Sequence, residues 1–249
     1  MKASYISHMG DDLQVVNAAR VSFAKTSEWE LVDKTFGTKV DPKLLDREEL
    51  YQLAYCKEVL SDRDTRLINY LAKHSHWTPF AHTAITVHVK APLFVARQLG
   101  KHQVGLVWNE VSRRYVTDGP EFYVPEVWRK AADNVKQGSS AEEIDLWGLE
   151  GVDRKTLGEQ VKYLVNDAQA TYRKLLASGV CAEQARMVLP QSMYTEWYWT
   201  GNLVSFANMY KLRTDSHTQK ETQEVARQIG DLISPLFPVS WTALTQGDN

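Results

Sequence analysis

A chain of 249 residues can form one large domain or two small ones, and its 43% of hydrophobic residues can fill a sizeable core. The formal net charge of -2 argues against a general polyanion-binding surface, so we expect no nucleic-acid partner. Two cysteines are too few for a disulfide framework, and no apolar run reaches membrane-spanning length. With no apolar signal core near Met1, these features predict a cytoplasmic protein that does not bind membranes.

In the first half of the chain, segments with a clear periodicity of apolar residues alternate with segments that have little periodicity. A period of two in residues 81–90 is typical of a half-buried strand, whereas apolar residues spaced by three or four indicate helices. The predicted elements are a strand, a turn and a helix within 3–24, a helix over 46–60, an amphipathic helix over 64–73, a strand over 81–90 and a helix over 93–101. Residues 25–62 carry many charges and little pattern, so we interpret them as a peripheral excursion.

The second half predicts mostly helices. Residues 116–140 have a loop-like composition, and the spacing of Ser140 and Glu143 is that of a capping box at a helix start. The predicted elements are a short strand over 121–124, helices over 156–178 and 182–189, an aromatic strand over 194–200, and helices over 202–213 and 217–236. No repeat or linker divides the chain, which favours a single catalytic domain over 1–249.

One stretch, residues 97–115, concentrates positive charge beside a histidine and a single acid. Its four cations are Arg97, Lys101, Arg113 and Arg114. On a helix, the like charges of Arg97 and Lys101 would repel by roughly 0.3 kcal/mol, and a bound anion would remove that penalty. Guanidinium groups also suit phosphate oxygens or a pyrimidine edge. Two interpretations remain open: a pocket for a phosphorylated planar ligand, or a solvated basic surface loop.

Other polar residues each have a structural and a functional interpretation. Asn202 and Asn208 lie in a predicted helix, where asparagine is disfavoured, so we favour a binding role for both. Arg186 lies beside apolar residues, and taken alone it is better explained as a long side chain whose charged end reaches solvent. Cys181, at a predicted helix start, is a weak nucleophile candidate, although burial is the simpler expectation for both cysteines. The histidines lack carboxylates at metal-binding spacing, so we expect no metal.

The segments Lys101-His102-Gln103 and Ser112-Arg113-Arg114 resemble the Arg-His-Arg-x7-Ser-x-Arg pattern of the flavin-dependent thymidylate synthases. Further blocks similar to that family, in the same order, lie at 19–23, 76–80, 90–98, 185–190 and 212–219. There are two departures. Lys101 and Gln103 replace both arginines, and eight residues (104–111) separate the two halves of the pattern where the family has seven.

This resemblance implies a helix-rich α/β fold of the α+β type, in which a single domain surrounds a central antiparallel sheet. It also implies methylation of dUMP to dTMP, with 5,10-methylenetetrahydrofolate as carbon donor, FAD as cofactor and NADPH as its reductant. Members of the family are homotetramers whose active sites are shared between subunits. The departures keep a flavin-dependent dUMP hydroxymethylase as an alternative, and a non-catalytic nucleotide-binding protein is the alternative from another class.

The resemblance also assigns residue roles, carried over position by position. Arg213 takes the catalytic role, because a cation beside the uracil edge stabilises the ring deprotonated at N3. The residues implied for dUMP are Gln98, Lys101, Glu110, Ser112, Arg113, Arg114, Arg186 and Arg213. The residues implied for FAD are Ser22, His76, Thr78, Lys101, His102, Gln103, Glu110, Asn202 and Asn208.

Overall fold

The computed structural model describes residues 1–45, 53–133, 138–151 and 155–246. The chain divides into two compact units. The first unit comprises Met1–Ile6, Thr86–Thr200 and Met209–Gly230; the second comprises Ser7–Ile85, Gly201–Asn208 and Asp231–Asn249. Function as a single catalytic domain remains a prediction. Within the described ranges, none of the helices has both the length and the apolar character needed to cross a bilayer.

A four-stranded sheet lies largely in the first unit and contributes many of the buried residues of that unit's core. Its strands are β1 (Lys2–Met9), β5 (Ala84–Pro92), β6 (Leu106–Glu110) and β9 (Tyr194–Gly201), in the order β1-β5-β9-β6. Alternate residues of β5 and β9 are buried, among them Val87, Val89, Trp197 and Trp199, as period-two patterning requires. The predicted strands over 81–90 and 194–200 are therefore confirmed, except that Pro79–His82 forms a 3-10 turn.

Helices of the first unit follow the predicted pattern closely. They are α3 (Leu93–Leu99), α4 (Leu157–Ala177), α5 (Ala182–Ala185), the last residues of α6 (Leu203–Thr214) and most of α7 (Lys220–Ile233). α4 begins with a true capping box between Thr156 and Glu159 and is followed by Gly179 with a φ of +84°. The predicted helix over 182–189 is shorter than expected, because Arg186–Val188 is a 3-10 turn.

A two-stranded hairpin in the first unit overturns two predictions. β7 (Trp128–Ala131) pairs antiparallel with β8 (Ser139–Ile144), where the sequence predicted a loop and a helix start. The capping-box spacing at Ser140 and Glu143 is overridden by pairing with a strand that precedes it in the chain. Residues 121–124 form only an isolated bridge, from Phe122 to Met193, in place of the predicted strand.

The second unit packs helices around an apolar core. It contains α1 (Asp12–Arg20), α2 (Asp62–Lys73) and α8 (Pro238–Gln246), the last of which was not predicted. The buried Asp12 carboxylate accepts hydrogen bonds from the backbone N–H groups of Val239 (2.8 Å) and Ser240 (2.9 Å) at the start of α8. Burial raises the pKa of Asp12, against the opposing effect of these donors. A carboxylate from the N-terminal region thus caps the last helix.

The excursion in the second unit contains a small antiparallel sheet. Its strands are β2 (Glu30–Asp33), β3 (Lys39–Val40) and β4 (Cys56–Val59), in the order β3-β2-β4. The helix predicted over 46–60 is therefore wrong at 56–59, whereas 46–52 lie outside the described residues. The overall class, a helix-rich mixed α/β fold, is confirmed.

Candidate functional site

Three of the predicted substrate residues share one cavity in the first unit. Gln98 on α3, Lys101 just beyond that helix and Arg213 near the end of α6 line a space of about 590 Å³. The remaining described lining residues come from β7, the start of β8 with the glycine before it, and the segment before α7, and are Arg129, Gly138, Ser139, His217, Thr218 and Gln219. No aspartate or glutamate is among these residues, so the cavity suits an anion.

Arg213 is held rigidly at the wall of this cavity. Its Nε donates to Nε2 of His102 over 2.9 Å, and its Nη2 donates to the backbone carbonyl of Gln98 over 3.0 Å. Burial lowers the pKa of His102, and the charge of Arg213 lowers it further, so the imidazole is neutral and can accept this bond. Burial also lowers the pKa of Arg213. A fixed, half-buried cation facing the cavity is therefore present at the predicted catalytic position.

The side chain of Gln98 is fixed by α7 and the residue before it. Its Nε2 donates to Oε1 of Gln219 over 2.6 Å, and its Oε1 accepts from Oγ1 of the buried Thr222 over 3.0 Å. Sequence reasoning gave no role to Gln219 or Thr222, although Gln219 ends one of the family-like blocks. The sequence signal that could have identified both is their spacing of three at the start of a predicted helix, which places two hydrogen-bonding side chains on the same side.

A second cavity of the first unit, of about 300 Å³, gathers three of the predicted cofactor residues. His102, Gln103 and Glu110 line it together with Trp108 and Arg97. The indole of Trp108 stacks on that of Trp197, with 4.1 Å between ring centroids and 17° between planes. Glu110 is held by donors from Thr195 (2.6 Å) and Trp108 (3.3 Å). Arg97 and Lys101 thus line different cavities, and the like-charge pair expected on one helix does not arise, because α3 ends at Leu99.

Four predicted substrate residues are absent from the described walls of both cavities. Ser112 accepts from the backbone and Nε of Arg114, each over 3.3 Å, and Arg113 donates to the carbonyl of Asp118. The guanidinium of Arg114 lies 5.2 Å from the ring centroid of Tyr115. Arg186 is exposed at the start of its 3-10 turn. Within this subunit, these side chains are not brought to Arg213.

The remaining cofactor candidates belong to the second unit. Ser22, His76 and Thr78 line a cavity of about 970 Å³, whose walls also include Lys25, Arg63, Arg66, Phe23 and Tyr70. Arg20, on the same wall, is neutralised by the buried carboxylate of Asp64 through Nε and Nη2. Cations and exposed rings on one wall provide the donors and stacking faces that a dinucleotide needs.

The two asparagines differ in their surroundings. Asn202 precedes α6, and its Oδ1 accepts from the backbone N–H of Ser205 over 2.9 Å, so it caps the helix. The prediction that Asn202 lies inside a helix is therefore wrong, since the residue occupies an N-cap position, where asparagine is favoured. Asn208 lies within α6 and is exposed.

The candidate metal ligands are dispersed in the described residues, and the two cysteines differ in exposure. Among the described residues, no three of His, Cys, Asp and Glu are grouped as metal ligands would be. Cys56 is buried as expected, whereas Cys181 is exposed at the start of α5, so the expectation of burial is wrong for that residue.

Comparison with known proteins identifies the family. The family model described as thymidylate synthase complementing protein matches residues 4–239. A relative named flavin-dependent thymidylate synthase, from Thermosipho africanus, is 38% identical over 237 residues, which are 95% of this chain and 86% of the relative. Another of that name, from Thermus thermophilus, is 35% identical over 241 residues, which are 97% of this chain and 74% of the relative.

Solved structures agree with these sequence matches. The crystal structure of a UMP/dUMP methylase PolB from Streptomyces cacaoi, bound with 5-Br dUMP, superposes with a TM-score of 0.70 at 27% identity. The alignment covers 98% of this chain and 94% of that one. The same enzyme bound with 5-Br UMP gives a TM-score of 0.72. The chain therefore belongs to the thymidylate synthase complementing protein family, whose relatives here are named flavin-dependent thymidylate synthases.

Proposed function

We propose that this protein is a flavin-dependent thymidylate synthase, a methyltransferase that converts dUMP to dTMP. The observation that carries the proposal is the cavity shared by Gln98, Lys101 and Arg213, which has cations and amides but no carboxylate among its described lining residues. It occurs in a chain whose family match extends from residue 4 to residue 239. In the proposed reaction, dUMP, 5,10-methylenetetrahydrofolate, NADPH and a proton give dTMP, tetrahydrofolate and NADP⁺.

Arg213 is the proposed catalytic residue. Electron density at uracil C5 rises when N3 loses its proton, and a cation beside the ring edge stabilises the resulting anion. The hydrogen bonds to His102 and the Gln98 carbonyl hold the guanidinium in one orientation before substrate binds. This preorganisation needs His102 to be neutral, since only a neutral imidazole can accept from Arg213.

The flavin is proposed to be FAD, which when reduced by NADPH supplies the hydride. In the first unit, His102, Gln103 and Glu110 would hold it, with Trp108 as an aromatic face on the same cavity. In the second unit, Ser22, His76 and Thr78 line a cavity with several cations, which fits a cofactor diphosphate. Lys101, Asn202 and Asn208 are the remaining proposed cofactor residues. Gln103 offers an uncharged donor where the family has arginine, so we expect a weaker electrostatic hold on the cofactor here.

A shared site would explain the substrate residues that do not reach Arg213. Ser112, Arg113, Arg114 and Arg186 are exposed or half-buried and are not on the described walls of the cavity. We infer that the protein is a homotetramer in which these residues serve the site of a neighbouring copy. A measured mass of one subunit under turnover conditions would contradict this inference.

Product analysis tests the proposed function. The purified protein is incubated with FAD, NADPH, 5,10-methylenetetrahydrofolate and either dUMP or UMP, and the nucleotides are separated by chromatography. We expect dTMP from dUMP, together with an oxidised-flavin absorbance spectrum that bleaches with NADPH. A 5-hydroxymethyl product would instead establish the hydroxymethylase, and dUMP binding without flavin reoxidation would establish a non-catalytic protein. UMP is included because the solved relative is described as acting on both nucleotides.

A further inference from the structure

The β7–β8 hairpin places one more cation on the wall of the Arg213 cavity. Arg129 of β7 lines the same 590 Å³ space as Lys101 and Arg213, and its side chain is only 21% exposed. Neither the family-like blocks nor the basic stretch at 97–115 includes it. The strand register shifts between Arg129 and Ala131, which is where the hairpin is irregular and where Ser139 joins the wall.

Two of the three guanidinium nitrogens of Arg129 are fixed by the protein. Its Nε donates to Oγ of Ser139 over 2.9 Å, and its Nη2 donates to both carboxylate oxygens of Glu221, over 2.8 and 2.9 Å. Glu221 is buried, and burial acts to raise its pKa. Hydrogen bonds from its own backbone N–H and from Arg129 have the opposite effect and outweigh burial, so the pKa of Glu221 is lowered. The pair is therefore ionised and rigid, and the direction in which the guanidinium points is set before any ligand arrives.

The third nitrogen, Nη1, is the one left for a ligand. In the described part of the chain, no acceptor is hydrogen-bonded to Nη1. Glu221 does not line the Arg213 cavity; it lines an adjoining apolar cavity, which Arg129 also borders. The counter-charge of Arg129 thus lies outside the described lining of the Arg213 cavity, whereas Arg129 itself is part of that lining. A guanidinium with this arrangement can still give charge-assisted hydrogen bonds to an anion.

We propose that Arg129 is a substrate-binding residue, whose Nη1 donates to the 5′-phosphate of dUMP alongside Lys101. This inference rests on the proposed function. A monophosphate carries nearly two negative charges, and Lys101 supplies only one, as a point charge without a planar fork. Arg213 is assigned to the ring, so Arg129 is the further arginine that this subunit places among the described lining residues, beside the arginines inferred to come from a neighbouring copy. The hairpin thus compensates for the fork that is missing at Lys101.

This proposal is tested by substituting Arg129 and comparing a ligand that has the 5′-phosphate with one that lacks it. KM and kcat for dUMP, and Kd values for dUMP and deoxyuridine by calorimetry, are measured on the flavin-loaded Arg129→Gln protein. Loss of a charge-assisted hydrogen bond predicts that KM and Kd for dUMP rise about tenfold or more. The Kd for deoxyuridine, which lacks the phosphate, should change less than about twofold, and kcat should change little. Equal weakening of both ligands, or unchanged dUMP affinity, would overturn the proposal.

Two further variants separate binding from folding. Lys130→Gln removes the neighbouring cation of β7, which pairs with Glu142 at 2.6 Å and does not line the cavity; it should leave dUMP binding unchanged. Arg129→Gln combined with Glu221→Gln removes the buried unpaired carboxylate that the single variant leaves behind. The double variant should remain as weak for dUMP as the single one; restored affinity would mean that Arg129 only neutralises Glu221. If the wild-type protein binds dUMP but makes no product, the proposed function fails and the role of Arg129 is still measured.

Discussion

Arg213→Ala should remove most of the turnover while leaving the fold intact. Arg213 is half-buried and held by two hydrogen bonds, so its charge is fixed beside the cavity without reorganisation when the ring ionises. Removing one preorganised group of this kind from an active site lowers kcat by about 10²–10³-fold, equivalent to about 2.7–4 kcal/mol. Arg213→Lys keeps the charge but cannot reproduce both hydrogen bonds, and should retain an intermediate rate.

The assay is dTMP formation at saturating substrates, with flavin content and thermal stability measured for each variant. Lys211→Ala is the matched control, because Lys211 is an exposed cation on the same helix and does not line the cavity. It should retain the wild-type rate. A near wild-type kcat for Arg213→Ala, with normal flavin content, would refute the catalytic role. An equal loss in the Lys211 control would show that the effect is not specific to the cavity.

Because the pKa of His102 is lowered in the folded state, the unfolded chain binds a proton at this residue more readily. The free energy of unfolding, measured by urea titration, should therefore fall as the pH drops below about 6.5. If His102→Gln does not change the slope of this free energy against pH, the prediction is wrong. Gln103→Arg should tighten FAD binding about tenfold in a fluorescence titration, and an unchanged Kd would exclude Gln103 from the cofactor site. Asp64→Asn should lower the free energy of unfolding by about 3 kcal/mol, since it leaves the buried Arg20 charge without its partner. Glu30→Gln, at the solvent-exposed pair with Lys39, should cost much less, and similar losses in the two variants would contradict the importance of burial.

Elements stabilised by local signals were predictable from the sequence. The predicted helix over 156–178 is present and begins with a capping box of Thr156 and Glu159. The predicted helix over 64–73 is present because Ser61 caps it and its apolar stripe is buried. The alternation in β5 and β9 matches their burial. In each case the information lies within about ten consecutive residues, which is the range over which periodicity and capping act.

Elements that depend on distant partners were not predictable. β6 lies inside the basic stretch, which local composition describes as a loop; it becomes a strand beside β9, with Trp108 stacked on Trp197. β8 carries a helix-start motif and is nonetheless a strand, because it pairs with β7. The helix α8 begins at Pro238, a residue that also marks the end of the preceding predicted helix, and its start is capped by Asp12 from the other end of the chain.

In the candidate site, too, contacts between distant residues could not be predicted from local sequence signals. The grouping of Gln98, Lys101 and Arg213 followed from the family resemblance, since no spacing in the sequence joins residues more than one hundred positions apart. The roles of Gln219, Thr222 and Arg129 were not predicted, because they depend on tertiary contacts. Gln219 and Thr222 bond to Gln98 where α7 packs against α3, and Arg129 reaches the cavity wall from the hairpin. Ser112, Arg113, Arg114 and Arg186 remain predictions whose test is the assembled protein.

We expect the Arg213 cavity to hold dUMP and to stabilise its uracil ring in the form deprotonated at N3. Nitrogen-15 NMR of dUMP labelled at N3, bound to the flavin-loaded protein at neutral pH, measures this directly. We expect the N3 proton to be lost on the wild-type protein and retained on Arg213→Ala. If the ring bound to the wild-type protein keeps its N3 proton, Arg213 does not stabilise the uracil anion.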